Sequence, residues 1–220
     1  MTAADPSAST GAERPVLLFQ GDSITDAGRR GGAPNDPHSL GSGYAALAAS
    51  ALLSRAPDRG WQCYNRGVGG DTIGDLAARW DADCLALEPD VLSVLVGIND
   101  LWTADSGGAT AARYEERYRA LLDRTRSARP GVTLLIGEPF VLPGGSAVDE
   151  TWPSALAPYR QAARRVADAY DATWIPYQSV FDAALEEAPG PYWAEDGIHP
   201  SPAGHHRMAQ AWLEAFRELS

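Results

Sequence analysis

Short apolar runs alternate along this chain with longer segments in which apolar residues recur every three or four positions. The runs predict strands and the periodic segments predict helices. Val91 to Val96 is a continuous apolar run of the kind buried on both faces of a parallel sheet. The other predicted strands are Val16 to Phe19, Trp61 to Asn65, Val132 to Ile136 and Thr173 to Pro176. The predicted helices are Gly43 to Arg55, Thr72 to Leu87, Ala111 to Arg129, Leu156 to Tyr170, Ser179 to Glu187 and Ala203 to Leu219.

This alternation of strands and helices predicts βαβ units, and therefore a parallel sheet covered by helices on both faces. The predicted fold class is α/β, a three-layer α/β/α sandwich of flavodoxin-like outline. Residues 1–14 are small and polar, so we expect a disordered N-terminal tail followed by a single domain over 15–220. Ala27 to Ser42 and Pro143 to Pro153 are longer than ordinary connections, which is typical of functional loops.

The composition argues against several classes of partner and mechanism. The 220 residues carry a formal net charge of −11, which disfavours nucleic acid and anionic membranes as partners. All 18 basic residues are Arg, so lysine Schiff-base chemistry and a Walker-type phosphate loop are excluded. The two Cys and four His lack metal-ligand spacing, so we expect no zinc site. No segment is typical of a signal peptide or a membrane span, so we expect a cytoplasmic protein.

Polar clusters follow the first three predicted strands, and a fourth precedes the last helix. In open parallel sheets, ligands bind in the crevice beyond the carboxyl ends of the strands. We therefore expect these clusters to meet at one edge and to form the functional site. The four clusters are Gly21 to Thr25, Asn65 to Thr72, Gly97 to Asp100 and Asp196 to Pro200.

These clusters contain the groups that acyl transfer needs. A hydroxyl such as that of Ser23 becomes a good nucleophile when a base takes its proton, and His199 is the candidate base. Asp196 stands three residues earlier, where its carboxylate can orient the imidazole. The N–H groups of Ser23 and Gly70 and the side-chain amide of Asn99 are candidate oxyanion-hole donors. Each residue alone fits an ordinary turn or cap, and only the combination predicts catalysis.

The strings GDSIT, GVGGD, GIND and DGIHP, spread between Leu17 and Ala209, resemble those of the SGNH (GDSL-type) hydrolases. The longer strings GDSITDAGR, NRGVGGDT, GINDLW and HPSPAGH are most similar to the small acetyl esterases that act on xylan and xylo-oligosaccharides. The resemblance implies the SGNH hydrolase fold and chemistry without metal or organic cofactor. It also implies Ser23 as nucleophile, His199 as base and Asp196 as its orienting acid. The implied oxyanion hole consists of Ser23, Gly70 and Asn99.

Three further residues beside these motifs are candidates for substrate binding. The rings of Trp102 and Trp193 suit sugar faces, although both could equally pack the rim of the core. Asp22 lies next to the predicted nucleophile, where it could orient backbone amides. By contrast, His205 and His206 are predicted to be surface residues of the last helix.

The predicted function is a serine esterase that releases acetyl groups from a small acylated carbohydrate through an acyl-enzyme. Two alternatives stay open at this point. One is a broad short-chain carboxylesterase, thioesterase or lysophospholipase on the same residues. The other is a non-catalytic domain that binds a small ligand. A homo-oligomer is compatible with the sequence, although no segment of it indicates one.

Overall fold

The structure is a computed structural model that describes residues 14–104 and 109–217. The predicted tail over 1–14 lies, apart from Arg14, outside these described residues. Five parallel strands form one sheet in the order β2-β1-β3-β4-β5. This is the flavodoxin-like order, so the predicted α/β fold class is confirmed. The strands are β1 (Val16–Gly21), β2 (Gln62–Asn65), β3 (Val91–Leu95), β4 (Thr133–Gly137) and β5 (Thr173–Ile175).

Helices connect the strands and cover both faces of the sheet. The helices α3, α8 and α10 pack together on one face, and α4, α6 and α7 pack together on the other. In the described ranges, the helices are α1 (Ser23–Asp26), α2 (Pro37–Leu40), α3 (Tyr44–Arg55), α4 (Ile73–Asp83), α5 (Ile98–Trp102), α6 (Ala111–Ala128), α7 (Trp152–Ala169), α8 (Tyr177–Ala184), α9 (Gly190–Trp193) and α10 (Pro202–Arg217).

One continuous hydrophobic core fills the space between the sheet and both helical layers. Two fully buried tryptophans pack in it, and each satisfies its indole N–H inside the protein. Trp80 of α4 donates to the Thr125 hydroxyl, and Trp212 of α10 donates to the Ser93 hydroxyl, both at 3.0 Å. Because the only polar atom of each ring is bonded, these large side chains are buried without an unpaired donor.

Two predicted helices differ from the structure by four residues at one end, and the predicted helix Ser179 to Glu187 lies at Tyr177–Ala184. The predicted helix Thr72 to Leu87 is interrupted, since α4 ends at Asp83 and a separate 3₁₀ turn spans Leu85–Leu87. Helix α7 begins at Trp152, four residues before the predicted start. Pro153 is tolerated in its first turn, where a proline's missing N–H would have no helical acceptor.

The register of the strands brings the predicted polar clusters to one edge. Phe19 of β1 lies opposite Asn65, the last residue of β2, and Gly21 lies opposite Leu95, the last residue of β3. The long loop Ala27 to Ser42 contacts the same edge, because the guanidinium of Arg29 donates to the Gly67 carbonyl at 2.6 Å. No helix in the described ranges is long and apolar enough to cross a membrane.

Candidate active site

Ser23 is the first residue of α1 and lies directly beyond the carboxyl end of β1. The chain turns sharply there, and a Cβ at Gly21 would lie 2.2 Å from the Leu95 carbonyl oxygen. Glycine is therefore needed for β1 and β3 to stay paired up to this turn. The turn presents the Ser23 hydroxyl at the edge of the sheet, and Ile24 and Thr25 behind it are buried.

Ser23, His199 and Asp196 form a hydrogen-bonded series, although 176 positions separate the serine from the histidine. Ser23 Oγ lies 2.8 Å from His199 Nε2, and His199 Nδ1 lies 2.6 Å from Asp196 Oδ2. The other carboxylate oxygen of Asp196 accepts the N–H groups of Ile198 and His199 at 2.9 and 2.7 Å. This geometry lets the imidazole take a proton from the hydroxyl, with its second nitrogen held by a carboxylate.

The hydrogen bonds to Asp196 keep its carboxyl group ionised, as this arrangement requires. Partial burial opposes its ionisation, but the His199 ring and the two backbone N–H groups outweigh burial, so the pKa of Asp196 is lowered. The carboxylate is therefore ionised at neutral pH and accepts the Nδ1–H of the imidazole. That bond leaves Nε2 of His199 free to accept the Ser23 proton.

The three predicted oxyanion donors lie at the ends of neighbouring strands. Gly70 is exposed with φ +86°, a backbone conformation that favours glycine. The N–H groups of Ser23 and Gly70 donate to no acceptor within the part of the chain that the structure describes. Asn99 uses one amide hydrogen on the Asp71 carbonyl at 3.0 Å, which leaves its second hydrogen available.

The location of Asp22 contradicts the prediction that it binds substrate. Its side chain is 1% exposed, and Oδ1 accepts the Ile24 N–H at 3.0 Å as the cap of α1. Its other oxygen, Oδ2, has no hydrogen-bond partner among the described residues. Burial raises the pKa of Asp22 to about 7. Asp22 therefore supports the turn beneath Ser23 instead of facing a ligand.

Of the two roles left open for Trp193, the structure contradicts sugar binding and agrees with packing against the core. It is 5% exposed, and its indole N–H donates to the Ala184 and Ala188 carbonyls at 3.0 and 3.1 Å. The ring therefore packs in the core and offers no face to a sugar. Trp102, by contrast, is 56% exposed on α5, and its ring packs against that of Trp152 with centroids 5.3 Å apart. Substrate binding by Trp102 stays a prediction.

His205 is partly buried and is not the ordinary surface residue that was predicted. Its Nδ1 accepts the Tyr44 N–H at 3.1 Å and so caps the start of α3. Burial is the main cause that lowers the pKa of His205 to about 4, and the nearby His199 lowers it further. His205 is neutral at physiological pH for this reason. Since the contact joins segments 161 positions apart, no local sequence signal indicates it.

Two charged residues that support the site were also missed. Asp100, next to Asn99, is fully buried and accepts the Ile73 N–H at the start of α4. Burial raises the pKa of its carboxyl to about 6. Arg79 of α4 donates to acceptors around the Gly70 loop. A charged residue within an otherwise amphipathic helix is a weak signal, because most such residues face solvent.

The described residues contain no group of three or more His, Cys, Asp or Glu side chains that could hold a metal ion. The groups that converge at the sheet edge are instead a hydroxyl, an imidazole, a carboxylate and several N–H donors. Together they suit nucleophilic attack on a carbonyl, with the developing negative charge held by the N–H groups.

Comparisons with known proteins agree with this chemistry. Residues 19–207 match the model of the GDSL-like lipase/acylhydrolase family. An acetylxylan esterase from Geobacillus stearothermophilus is 32% identical over 204 residues, which are 90% of this chain and 91% of that protein. The solved structure of the acetylxylan esterase from that organism has a TM-score of 0.83 at 30% identity, covering 91% of this chain and 93% of that one.

Two other solved structures are similar over nearly the whole chain. A protein from Parabacteroides merdae, assigned to the GDSL-like lipases, has a TM-score of 0.88 at 40% identity, with 92% of this chain and 95% of that one covered. An α/β hydrolase enzyme from the metagenome of Lake Arreo, Spain, has a TM-score of 0.84 at 32% identity, covering 94% and 96%. The non-catalytic alternative is not supported by these relatives. The chain belongs to the GDSL-like lipase/acylhydrolase family and is a carboxylic ester hydrolase.

Proposed function

We propose that this hydrolase is a serine esterase that removes acetyl groups from O-acetylated carbohydrates of the xylo-oligosaccharide type. The observation that carries the proposal is the continuous series from the Ser23 hydroxyl through His199 to Asp196, with contacts of 2.8 and 2.6 Å. The 32% identity to an acetylxylan esterase supports the choice of acyl group and substrate. The cytoplasmic location stays a prediction from the sequence.

The first half of the proposed reaction acylates Ser23. The Oγ atom forms a bond to the acetyl carbonyl carbon while its proton passes to His199 Nε2. The carbonyl electrons move onto oxygen, and this anion accepts hydrogen bonds from Ser23 N–H, Gly70 N–H and the Asn99 amide. The anion then collapses, the bond from carbon to the sugar oxygen breaks, and His199 returns the proton to that oxygen. The products are a free sugar hydroxyl and an acetyl-serine.

The second half repeats these steps with water. His199 takes one proton from a water molecule, whose oxygen bonds to the acetyl carbon of the acyl-enzyme. The same three donors hold the anion. Its collapse breaks the bond to Ser23 Oγ, which recovers a proton from His199, and acetic acid leaves and ionises at neutral pH. Asp196 stays ionised throughout and stabilises the imidazolium that forms twice in each turnover.

The crevice beside His199 favours a polar leaving group. It is lined by Ser146, Glu195 and Asp196 together with His199, and Ser146 and Glu195 are exposed. Because His199 returns its proton to the leaving oxygen, the leaving group must lie beside this histidine. Hydroxyl and carboxylate groups there suit a polyhydroxylated sugar better than a lipid. The exposed ring of Trp102 is the proposed stacking surface for a sugar unit.

A comparison of ester substrates tests the proposed function. Purified wild type and Ser23→Ala would be assayed on acetylated xylobiose and on p-nitrophenyl esters from acetate to octanoate. We expect acetate release that depends on Ser23, a higher kcat/KM on the acetylated sugar, and a steep loss of activity beyond butyrate. Because the chain contains no lysine, a trapped acetyl group seen by intact mass has few competing sites besides Ser23. Peptide mapping would locate it.

The same assay separates the proposal from the open alternative. Octanoate rates equal to or above acetate rates would favour a broad esterase, thioesterase or lysophospholipase on the same residues. Full activity in Ser23→Ala would contradict the assignment of Ser23 as the nucleophile. If the acetylated sugar is cleaved no faster than p-nitrophenyl acetate, the protein would still be a serine esterase. That result would contradict the assignment of a carbohydrate substrate.

A further inference from the structure

Arg79 of α4 connects segments that lead into the predicted oxyanion hole. Its Nε donates to Asp71 Oδ2 at 2.7 Å. Its two terminal nitrogens donate to four more acceptors. These are Gln20 Oε1 at 3.0 Å, the Arg66 carbonyl at 2.7 Å, Asp83 Oδ2 at 3.1 Å and the Gly21 carbonyl at 3.3 Å. One planar guanidinium thus holds two backbone carbonyls and three side chains in a fixed arrangement.

Four of the five acceptors of Arg79 belong to the two segments that carry backbone oxyanion donors, and the fifth, Asp83, ends α4 itself. Gly21 ends β1 and stands two residues before Ser23. Arg66 and Asp71 lie on either side of the loop that contains Gly70. A backbone bond from Val68 N–H to the Gly21 carbonyl, at 3.0 Å, joins the same segments. Arg79 therefore links the approach to Ser23 with the approach to Gly70.

Asp71 connects the third donor to the same arrangement. Its backbone carbonyl accepts an amide hydrogen of Asn99 at 3.0 Å, while its side chain accepts Arg79 Nε. The side chains of Arg79 and Asp71 are only 18% and 13% exposed, so solvent screens this ion pair weakly. A displacement of Asp71 would move Gly70, its chain neighbour, and would release the amide of Asn99.

We propose that Arg79 and Asp71 are positioning residues that hold the three donors of the oxyanion hole in mutual register. Neither residue touches substrate, and the inference rests on the proposed serine mechanism. Donors stabilise a developing oxyanion strongly when they are already aimed at it before the reaction, because no reorganisation is then needed in the transition state. Loss of the pair should weaken transition-state binding much more than substrate binding.

A second arginine, on α6, offers a matched control because it also contacts α4. Arg124 of α6 also binds α4, donating to Asp81 Oδ1 at 2.6 Å and to the Ala77 carbonyl at 3.4 Å. This pair is 40% and 80% exposed and joins two helices, without a bond to any segment of the oxyanion hole. Arg124→Gln therefore removes a guanidinium that contacts α4 and changes the net charge by the same amount as Arg79→Gln.

The test compares Arg79→Gln, Asp71→Asn and Arg124→Gln with wild type on p-nitrophenyl acetate. We expect kcat to fall by about 10-fold to 100-fold in the first two variants while KM stays within about threefold. The affinity for phenylboronic acid, which forms a tetrahedral adduct with the serine, should fall in parallel with kcat. Arg124→Gln should stay within about twofold in both quantities. Thermal unfolding by circular dichroism would check that each variant is folded.

Asn99→Ala supplies a second measurement that a purely structural role would not affect. If Arg79 acts through the oxyanion hole, Arg79→Gln should cost less in the Asn99→Ala background than in wild type, because part of the hole is already lost. If Arg79→Gln does not fold, Asp71→Asn carries the test, since it keeps the size of the side chain and removes only its charge.

Two results would overturn the inference, and they are distinguishable from each other. Folded Arg79→Gln and Asp71→Asn with kcat and boronate affinity within about twofold of wild type would show that the hole does not depend on this pair. Wild type no more active than Ser23→Ala on any ester, with no boronate adduct, would instead mean that the proposed function is wrong. The positioning role would then fall with it.

Discussion

At the scale of single residues, His199 and His205 show how surroundings decide what an imidazole does. The His199 side chain is 53% exposed and lies between Ser23 and Asp196, where it can exchange protons. His205 is partly buried and uses Nδ1 to accept the Tyr44 N–H at the start of α3. Burial lowers the pKa of His205 to about 4, so it remains a neutral acceptor. One histidine is suited to chemistry and the other to holding a helix end.

The role of His205 predicts a specific dependence of stability on pH. Its pKa is about 4 in the folded protein against an ordinary value of 6.5, so the unfolded chain binds the proton more tightly. This contribution to stability is complete above pH 6.5 and is lost as the pH falls toward 4. The loss should reach about 1 kcal/mol near pH 5.5 and at most about 3 kcal/mol at lower pH.

Urea unfolding of His205→Asn would measure this contribution, because the Asn oxygen can accept the Tyr44 N–H without titrating. The difference in unfolding free energy between wild type and His205→Asn should shift in favour of the variant as the pH falls. The control is His206→Asn, on the exposed side of α10. A difference between wild type and His205→Asn that does not change with pH would contradict the assigned role.

At the scale of elements, the connection after β4 supports the loop that carries Asp196. Leu142 N–H donates to the Gly197 carbonyl at 2.9 Å, and Ser146 and Ala147 donate to the carbonyls of Glu195 and Asp196, both at 3.1 Å. The two backbones lie so close that a Cβ at position 145 would be 2.2 Å from Gly197 N. The second long loop is therefore a support for the histidine and its carboxylate.

Gly145→Ala is predicted to reduce activity because the added Cβ would collide with the backbone of Asp196 and Gly197. The φ of Gly145 is not positive, so alanine adds no backbone strain, but its Cβ would displace the backbone of Asp196 and Gly197. We expect kcat/KM on p-nitrophenyl acetate to fall by about 10-fold to 100-fold, because the acid and base shift relative to Ser23. The control is Gly131→Ala, where a Cβ meets nothing within 4 Å. Activity in Gly145→Ala equal to that control would show that the loop tolerates the displacement.

At the scale of the whole molecule, the formal net charge of −11 affects how charged substrates approach. A strongly negative protein repels anions over distances comparable with the Debye length, and added salt screens that repulsion. The arginines beside the site reduce this repulsion little, because Arg29 lies beside the carboxylate of Asp26 and Arg79 is paired with those of Asp71 and Asp83. Neutral esters, such as an acetylated xylo-oligosaccharide, meet no such barrier.

Ionic strength should therefore separate two acetate esters of similar size. For anionic 4-acetoxybenzoate, kcat/KM should rise about twofold to fourfold between about 0.01 and 0.2 M salt. For neutral p-nitrophenyl acetate, it should change by less than about 1.5-fold. A 4-acetoxybenzoate rate that falls with salt would mean that a local positive field at the site outweighs the net charge.

The strands, the order of polar clusters and the family could be predicted from the sequence because each depends on local pattern. Val91 to Val96 is a continuous apolar run, and Ser23, Gly70 and Asn99 follow strand ends whatever the details of packing. The prediction was wrong in assigning substrate binding to Asp22 and Trp193 and a surface position to His205. In each case the error concerned burial, which depends on what other segments pack against a side chain.

By itself the sequence determined a parallel α/β fold, the family and the residues that come together at one sheet edge. Alternating apolar patterns and strand-end motifs are encoded within short segments, and parallel pairing then brings the strand ends together. Only the tertiary structure decided that Arg79 binds around the Gly70 loop, that His205 caps α3 and that Gly145 lies against Asp196. The reason is physical: these contacts join backbone and polar atoms far apart in the chain, and no local pattern records which distant atoms will meet.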